Sequence, residues 1–140
     1  AQPAAETLAY SLLRAGFLVD GASPQLADLA RLLYSASTED LLLALEAGGE
    51  IPALSNALSD ARQRGVPTAA LVSFASLPSA CSAQYVLAAH AHPSDATGVF
   101  LLLSLVHVLL RALRSRYAQR FSEAEHAAAQ LIARLQESES

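Results

Sequence analysis

Lysine, methionine and tryptophan are all absent from this 140-residue chain, and cysteine occurs only once, at Cys81. Because a disulfide needs two cysteines, an internal disulfide is excluded, and we expect a protein of the reducing cytoplasm. All 9 basic side chains are arginines, and the net charge is −4. That balance argues against a nucleic-acid-binding surface over the whole domain. The lack of methionine, even at position 1, leads us to expect a processed chain, an excised domain or modified methionines.

Long apolar segments are also lacking. The most apolar stretch, Val99–Leu110, contains Ser104 and His107 and is followed at once by Arg111. It is shorter than the roughly 20 residues that a membrane-spanning helix needs. No basic segment precedes an apolar run at the start of the chain, as a signal peptide would require. We therefore expect no membrane partner, and a helix buried on most sides in a core or a subunit interface.

Hydrophobic residues make up 53% of the chain, against about 45–50% in average globular proteins. The length suits a single layered core. Periodicity and cap residues predict helices that alternate with strands. The predicted helices are Pro3–Ala15, one capped by Ser23, one ended by Gly65, Ala96–Ala118 and one that starts at Ser122. The predicted strands are Phe17–Val19, Leu41–Leu45, Thr68–Phe74 and Tyr85–Ala89.

This alternation is typical of an α/β fold, and we predict three layers, α/β/α, with a mainly parallel sheet. Ligands of such sheets bind outside the carboxyl ends of the strands. Four loops are predicted at that edge: Asp20–Ser23, Glu46–Ile51, Ser73–Pro78 and His90–Asp95.

The turn after the second predicted strand is the first candidate for a binding site. A glycine turn between a strand and a helix normally holds an anion, because the helix dipole and the free N–H groups favour negative charge. This turn has no hydroxyl side chain and no cation. We predict that its residues form a ligand-binding loop: Glu46, Ala47, Gly48, Gly49, Glu50 and Ile51. The candidates for further ligand contacts are Ser73, His90, His92 and Ser94.

The titratable residues in these loops allow more than one role. Glu46 ends a buried strand and could accept hydrogen bonds from sugar hydroxyls or act as a base. Glu50 is more simply explained as a first-turn carboxylate that the helix dipole favours. His90 and His92 could face the same side, but with Asp95 alone they make a poor metal site. We predict no metal, no cofactor and no catalytic residue.

Five short segments carry a resemblance to a known family. Each is similar to a run that the family uses at the same place: Leu8–Gly16 to "LAYKLLRIG", Asp40 to the start of "GDVAIAIS", Gly49-Glu50 with Pro52 to "SGETPE", Ala61–Gly65 to "AKERG", and Leu77-Pro78 with Ala80 to "SPLA". On these residues, the chain from Pro3 to about Arg120 resembles a SIS domain, the sugar isomerase fold that binds phosphosugars. It is most similar to the effector domain of RpiR-type bacterial transcription regulators.

The resemblance implies the SIS-like, flavodoxin-like strand order 2-1-3-4-5. It implies a SIS-like domain over residues 1–120, followed by a C-terminal helix and a frayed tail over residues 121–140. The family's opening strand, which is central in that order, has no counterpart in the sequence. We therefore expect only the other four strands here, so that either the chain is a fragment or the central position is filled by something else.

The phosphate-binding turn of the family has the pattern S-x-S-G-x-T, and its three hydroxyl positions are Glu46, Gly48 and Ile51 here. Each lost hydrogen bond to a charged group is worth about 1.5–3 kcal/mol. A carboxylate about 4 Å from a phosphate adds a repulsion of about 1 kcal/mol in water and more near a protein surface. Phosphosugars should therefore bind weakly in the usual mode, although the backbone amides of Gly48, Gly49 and Glu50 remain available.

The leading hypothesis is a non-enzymatic domain of an RpiR-like regulator that senses a sugar derivative or another small metabolite and dimerises. DNA would be bound by a domain outside this chain. The expected interface helices of the homo-oligomer are Pro3–Ala15 and Ala96–Ala118. The alternatives are a sugar-phosphate isomerase-type enzyme with an unusual site, and a structural SIS-like domain that binds nothing.

Overall fold

Three parallel strands form the middle layer of the molecule, with helices on both faces. The structure is a computed structural model and describes residues 2–21, 23–48, 51–90 and 98–139. The strands are β1 (Leu42–Glu46), β2 (Thr68–Val72) and β3 (Tyr85–Ala88). The helices are α1 (Gln2–Arg14), α2 (Leu26–Ser35), α3 (Pro52–Gln63), α4 (Pro78–Ser82), α5 (Gly98–Arg116) and α6 (Ala118–Glu139).

The sheet has the order β1-β2-β3, and both pairs of strands are parallel. Leu42 lies opposite Thr68, and Ala69 lies opposite Tyr85. The central strand is the most completely buried of the three, and its last three residues, Ala70, Leu71 and Val72, are almost inaccessible to solvent. A continuous apolar run of this kind is what a strand covered on both faces requires.

Each face of the sheet has its own apolar cluster. On one face the strands pack against α3 and both ends of α4 through Ala44, Ala70, Val72, Leu58, Leu77 and Ala83. On the opposite face Leu71 packs against α1 and α5 through Ala4, Leu8, Leu102 and Val106. The predicted three-layer α/β/α fold with a parallel sheet is thereby confirmed.

The predicted strand Phe17–Val19 is wrong, since residues 17 to 20 have no regular secondary structure and Leu18 is fully exposed. The segment is held by α6 instead of by a neighbouring strand. The ring of Phe17 meets Phe121 edge to face, with centroids 6.3 Å apart. The guanidinium of Arg120 lies 4.1 Å above the Phe17 ring and donates to the carbonyl of Gly16 at 3.1 Å. These contacts replace the backbone pairing that a strand would need.

Two predicted helix starts are also displaced. The helix expected to be capped by Ser23 begins at Leu26 and has Gln25 as its N-cap residue. The Ser23 hydroxyl donates to Asp28 at 2.5 Å and accepts from the N–H of Gln25 at 3.4 Å. The last helix begins at Ala118 and not at Ser122, since the chain turns only at Tyr117. It is also far more exposed than its apolar stripe suggests, and its only buried residue is Phe121.

Only one edge of β1 is paired. Within the described part of the chain no strand lies along its other edge, so β1 and β3 are the two edge strands of the sheet. Phe17–Val19, which would have added a further strand, pairs with neither open edge of the sheet.

Helix α5 contains the most apolar segment of the sequence. By length and composition alone it could cross a membrane, and 17% of its most apolar 18-residue window is buried. Leu102 and Val106 face the sheet and are inaccessible to solvent, whereas Phe100 and Val108 are exposed. The helix therefore packs into the core on one side only, and the prediction of burial on most sides does not hold within a single chain.

Two glycines end helices as predicted. Gly16 and Gly65 have φ values of 85° and 80°. After α3, the N–H of Val66 donates to the carbonyl of Ala61 at 2.9 Å, and that of Gly65 donates to Arg62 at 3.1 Å. This pair of bonds is the Schellman motif, in which a left-handed residue closes the helix.

Gly65→Ala is expected to lower the free energy of unfolding by about 1–2 kcal/mol, because a Cβ is disfavoured in the left-handed conformation. A Cβ at Gly65 would meet its nearest neighbour, Thr38, at 3.5 Å, so backbone conformation and not a clash would cause the loss. Gly21→Ala is the matched control, since a Cβ there meets nothing within 4 Å. Urea denaturation monitored by circular dichroism measures both. Equal stability of the two variants would contradict the prediction.

Candidate functional site

The carboxyl ends of β1 and β2 lie side by side, and Ser73 fastens them together. Glu46, the last residue of β1, is opposite Val72, the last residue of β2. The N–H of Ser73 donates to the carbonyl of Glu46 at 3.0 Å, and its hydroxyl donates to the carbonyl of Ala47 at 2.7 Å. Ser73 is completely buried. Its hydroxyl proton is thus used inside the protein, to hold the turn that follows β1.

Gly98, the first residue of α5, packs directly onto this turn. A Cβ at Gly98 would lie 2.6 Å from the carbonyl oxygen of Ala47 and 3.3 Å from the Cβ of Ser73. Real Cβ atoms essentially never approach a backbone oxygen so closely. The start of α5 can therefore reach the carboxyl edge of the sheet only because residue 98 is glycine.

Glu46 is a buried carboxylate at the very edge of the sheet. Its relative exposure is 1%. It has the same strand parity as Ala44, so its side chain lies on the α3 and α4 face. The hydroxyl of Ser79 in α4 donates to Oε2 of Glu46. The other carboxylate oxygen, Oε1, is buried and has no hydrogen-bond partner among the described residues.

Ser79 belongs to a short polar seam between α3 and α4. It is completely buried, like Ser73. Beside it, the hydroxyls of Ser55 and Ser82 lie 2.6 Å apart, and that of Ser55 also approaches the carbonyl of Pro78 at 3.5 Å. Sequence reasoning missed Ser79, because 33 positions separate it from Glu46 and it stands in no recognisable motif.

The first turn of α3 follows the candidate loop. Its N-cap residue is Ile51, which makes no side-chain capping bond, and Pro52 occupies the first helical position. Proline suits that position because its missing N–H would lack a partner in any case. Upstream, Gly48 is exposed and leaves open space, since a Cβ built on it would meet no heavy atom within 4 Å.

The structure brings part of the predicted site together. Glu46, Ala47, Gly48 and Ser73 converge at the ends of β1 and β2, and Ile51 starts α3 next to them. His90 is exposed just beyond β3, at the same edge of the sheet but two strands away from β1. The remaining predicted site residues lie outside the described residues: Gly49, Glu50, His92 and Ser94.

The described part of the site holds one carboxylate and several hydroxyls but no cation. Across the described residues, no group of three or more histidine, cysteine, aspartate or glutamate side chains is arranged to hold a metal ion. Cys81 is exposed on α4 and has no disulfide partner. What the described part of the site offers chemically is acceptance of hydrogen bonds by Glu46 at a rigidly held turn.

Two solved structures share the fold of this chain. The Vibrio vulnificus NanR protein complexed with ManNAc-6P superimposes with a TM-score of 0.76 at 23% sequence identity, over 94% of this chain and 51% of that one. The RpiR transcription factor from Sphaerobacter thermophilus (sugar isomerase domain) gives a TM-score of 0.71 at 24% identity, over 91% of this chain and 72% of that one. The chain thus spans about half the length of the NanR chain.

No family model matches the chain, and no curated protein does so either. The structural likenesses nevertheless show the fold, which is SIS-like and similar to that of these two proteins. The resemblance inferred from the sequence motifs is confirmed at that level.

Gly98→Ala is expected to destabilise the protein by about 1–3 kcal/mol, the usual range for overpacking a tight site. The atom in the way is a backbone oxygen in a turn that Ser73 also holds, so it cannot move aside as a flexible side chain would. Val99→Ala, at the next and more exposed position of α5, is the control. Thermal unfolding of the two variants measures the difference, and an unchanged Gly98→Ala protein would contradict the close contact.

Proposed function

We propose that this chain is the metabolite-sensing and dimerisation domain of an RpiR-like bacterial transcription regulator. The observation that carries the proposal is the fold, shared over 91% of the chain with the sugar isomerase domain of an RpiR transcription factor. The candidate loop at the carboxyl ends of β1 and β2 is where α/β sheets bind their ligands. The ligand would be a sugar derivative or another small metabolite, recognised without the usual phosphate-binding turn.

Regulation without catalysis is supported by the chemistry of the described residues. Isomerisation of a sugar phosphate needs groups that move protons at the substrate. The described site offers one carboxylate, which already accepts a hydrogen bond from Ser79, while His90 lies two strands away.

DNA binding would belong to another part of the protein. The net charge of the chain is −4, and a surface that binds DNA needs a cluster of positive charge. The chain also covers only 51% of the NanR structure. A cytoplasmic location goes with the proposal, since the regulator would meet both its metabolite and DNA there.

Self-association would use the layer formed by α1 and α5. These helices pack together on one face of the sheet through Leu8, Leu102 and Val106. Large apolar side chains on the same two helices remain exposed: Tyr10, Leu13, Phe100 and Val108. Their burial against a second copy would remove apolar surface from water, which is worth roughly 25 cal/mol per Å².

The sensing role is tested by the melting temperature of the full chain with a panel of sugars, amino sugars and their phosphates. We expect at least one sugar derivative to stabilise the protein without being converted. At a concentration of 100 times Kd the stabilisation would be about 2.7 kcal/mol. Turnover of a ketose or aldose phosphate that is lost in Glu46→Ala would favour the enzyme instead. No stabilisation by any member of the panel would favour the structural alternative.

The interface is tested by Phe100→Glu, which places a charge on a side chain that is 70% exposed in the single chain. We expect the variant to remain folded but to shift toward the monomer, because a buried unpaired charge is costly. Analytical ultracentrifugation measures the shift. Tyr34→Glu, at an exposed position of α2, is the matched control and should leave the association unchanged. Equal association of both variants would exclude this surface.

A further inference from the structure

The carboxylate of Glu46 is only half satisfied. Oε2 accepts the hydroxyl of Ser79, but Oε1 is buried without a partner among the described residues. Burial of a charged group is unfavourable unless it is paired and hydrogen-bonded, and an unsatisfied buried acceptor calls for an explanation. No described arginine or histidine forms an ion pair with Glu46. The free oxygen is therefore a vacant acceptor at the candidate site.

We propose that Glu46 makes this site select ligands that present a hydrogen-bond donor without negative charge, a sugar hydroxyl or an amine, in place of a phosphate. The inference rests on the proposed sensing function and names the class of ligand for the same loop. An ionised carboxylate can only accept hydrogen bonds. A hydroxyl or an amine supplies the donor that Oε1 lacks, whereas a dianionic phosphate has none to supply and is repelled.

Contacts with Ser73, Gly98 and Ser79 hold the turn that carries Glu46, so the carboxylate has a fixed position. Its own carbonyl is bound by the N–H of Ser73, and the carbonyl of Ala47 is bound by the Ser73 hydroxyl. Gly98 packs against the same carbonyl of Ala47. From the opposite direction Ser79 holds the carboxylate itself. A group held in this way can discriminate between ligands, because its position is set before the ligand arrives.

A purely structural role explains less of what is observed. A neutral side chain could join the end of β1 to α4 through Ser79 without the cost of burying a charge. Two positions along the chain, a Cβ built on Gly48 would meet no heavy atom within 4 Å, so there is space beside the turn. The carboxylate, its unused oxygen and the neighbouring space are explained together by a ligand that donates hydrogen bonds.

The test measures affinities by isothermal titration calorimetry for two matched pairs of probes: N-acetylmannosamine with its 6-phosphate, and glucosamine with its 6-phosphate. We expect the wild-type chain to bind the unphosphorylated member of at least one pair at least tenfold more tightly. Glu46→Gln keeps the shape but removes the charge, and should lose about tenfold in affinity for that probe. Glu46→Ser places a hydroxyl at this position and should shift the preference toward the phosphate.

Glu39→Gln is the matched control, because it removes one carboxylate from an exposed loop and should leave all affinities unchanged. Circular dichroism and thermal unfolding check that each variant is folded. If Glu46→Ser does not fold, the affinities of Glu46→Gln alone test the inference. Preference of the wild type for the phosphates would overturn this inference and leave the sensing function standing. An unphosphorylated preference that survives in Glu46→Gln would also overturn it. Binding of no probe would count against both.

Discussion

The hydrogen bond from the Ser73 hydroxyl to the carbonyl of Ala47 is the contact on which the candidate site depends. It ties the turn after β1 to the end of β2, and so fixes where the chain leaves the sheet. Because the turn is held there, Gly98 can approach the same carbonyl and α5 can start at the sheet edge. The same geometry keeps Glu46 in the layer between the sheet and α4. One buried hydroxyl thus positions a strand end, a helix start and a carboxylate.

The parallel sheet could be predicted because its first two strands are continuous apolar runs. Leu42–Glu46 and Thr68–Val72 fall within one or two residues of their predicted bounds, since burial on both faces leaves a strong signal. Phe17–Val19 has the same local character but forms no strand, because its fate is decided by Arg120 and Phe121, a hundred residues away. A local sequence pattern cannot predict a contact between residues that lie so far apart in the chain.

The position of the candidate site could be predicted from the sequence, but its hydrogen bonds could not. The glycine turn and the carboxyl edge follow from the order of elements, and Glu46 stands out because a charge ends a buried strand. The hydrogen bond from Ser79 to Glu46 could not be predicted, since a serine near a proline occurs in many structural contexts. Ser73 is predicted as a ligand contact, but in the structure its buried hydroxyl donates to the backbone carbonyl of Ala47. Tertiary hydrogen bonds of this kind decide which polar groups stay free.

The edge of β1 that pairs with no described strand has a consequence for the behaviour of the protein in concentrated solution. Leu42 and Glu46 direct their backbone groups to β2, so those of Leu43 and Leu45 point the other way along the open edge. Exposed strand edges are templates for intermolecular pairing, and proteins usually blunt them with lysine, proline or a bulge. The strand Leu-Leu-Ala-Leu-Glu contains neither lysine nor proline. Resistance of this domain to aggregation therefore depends in part on how well the open edge of β1 is shielded.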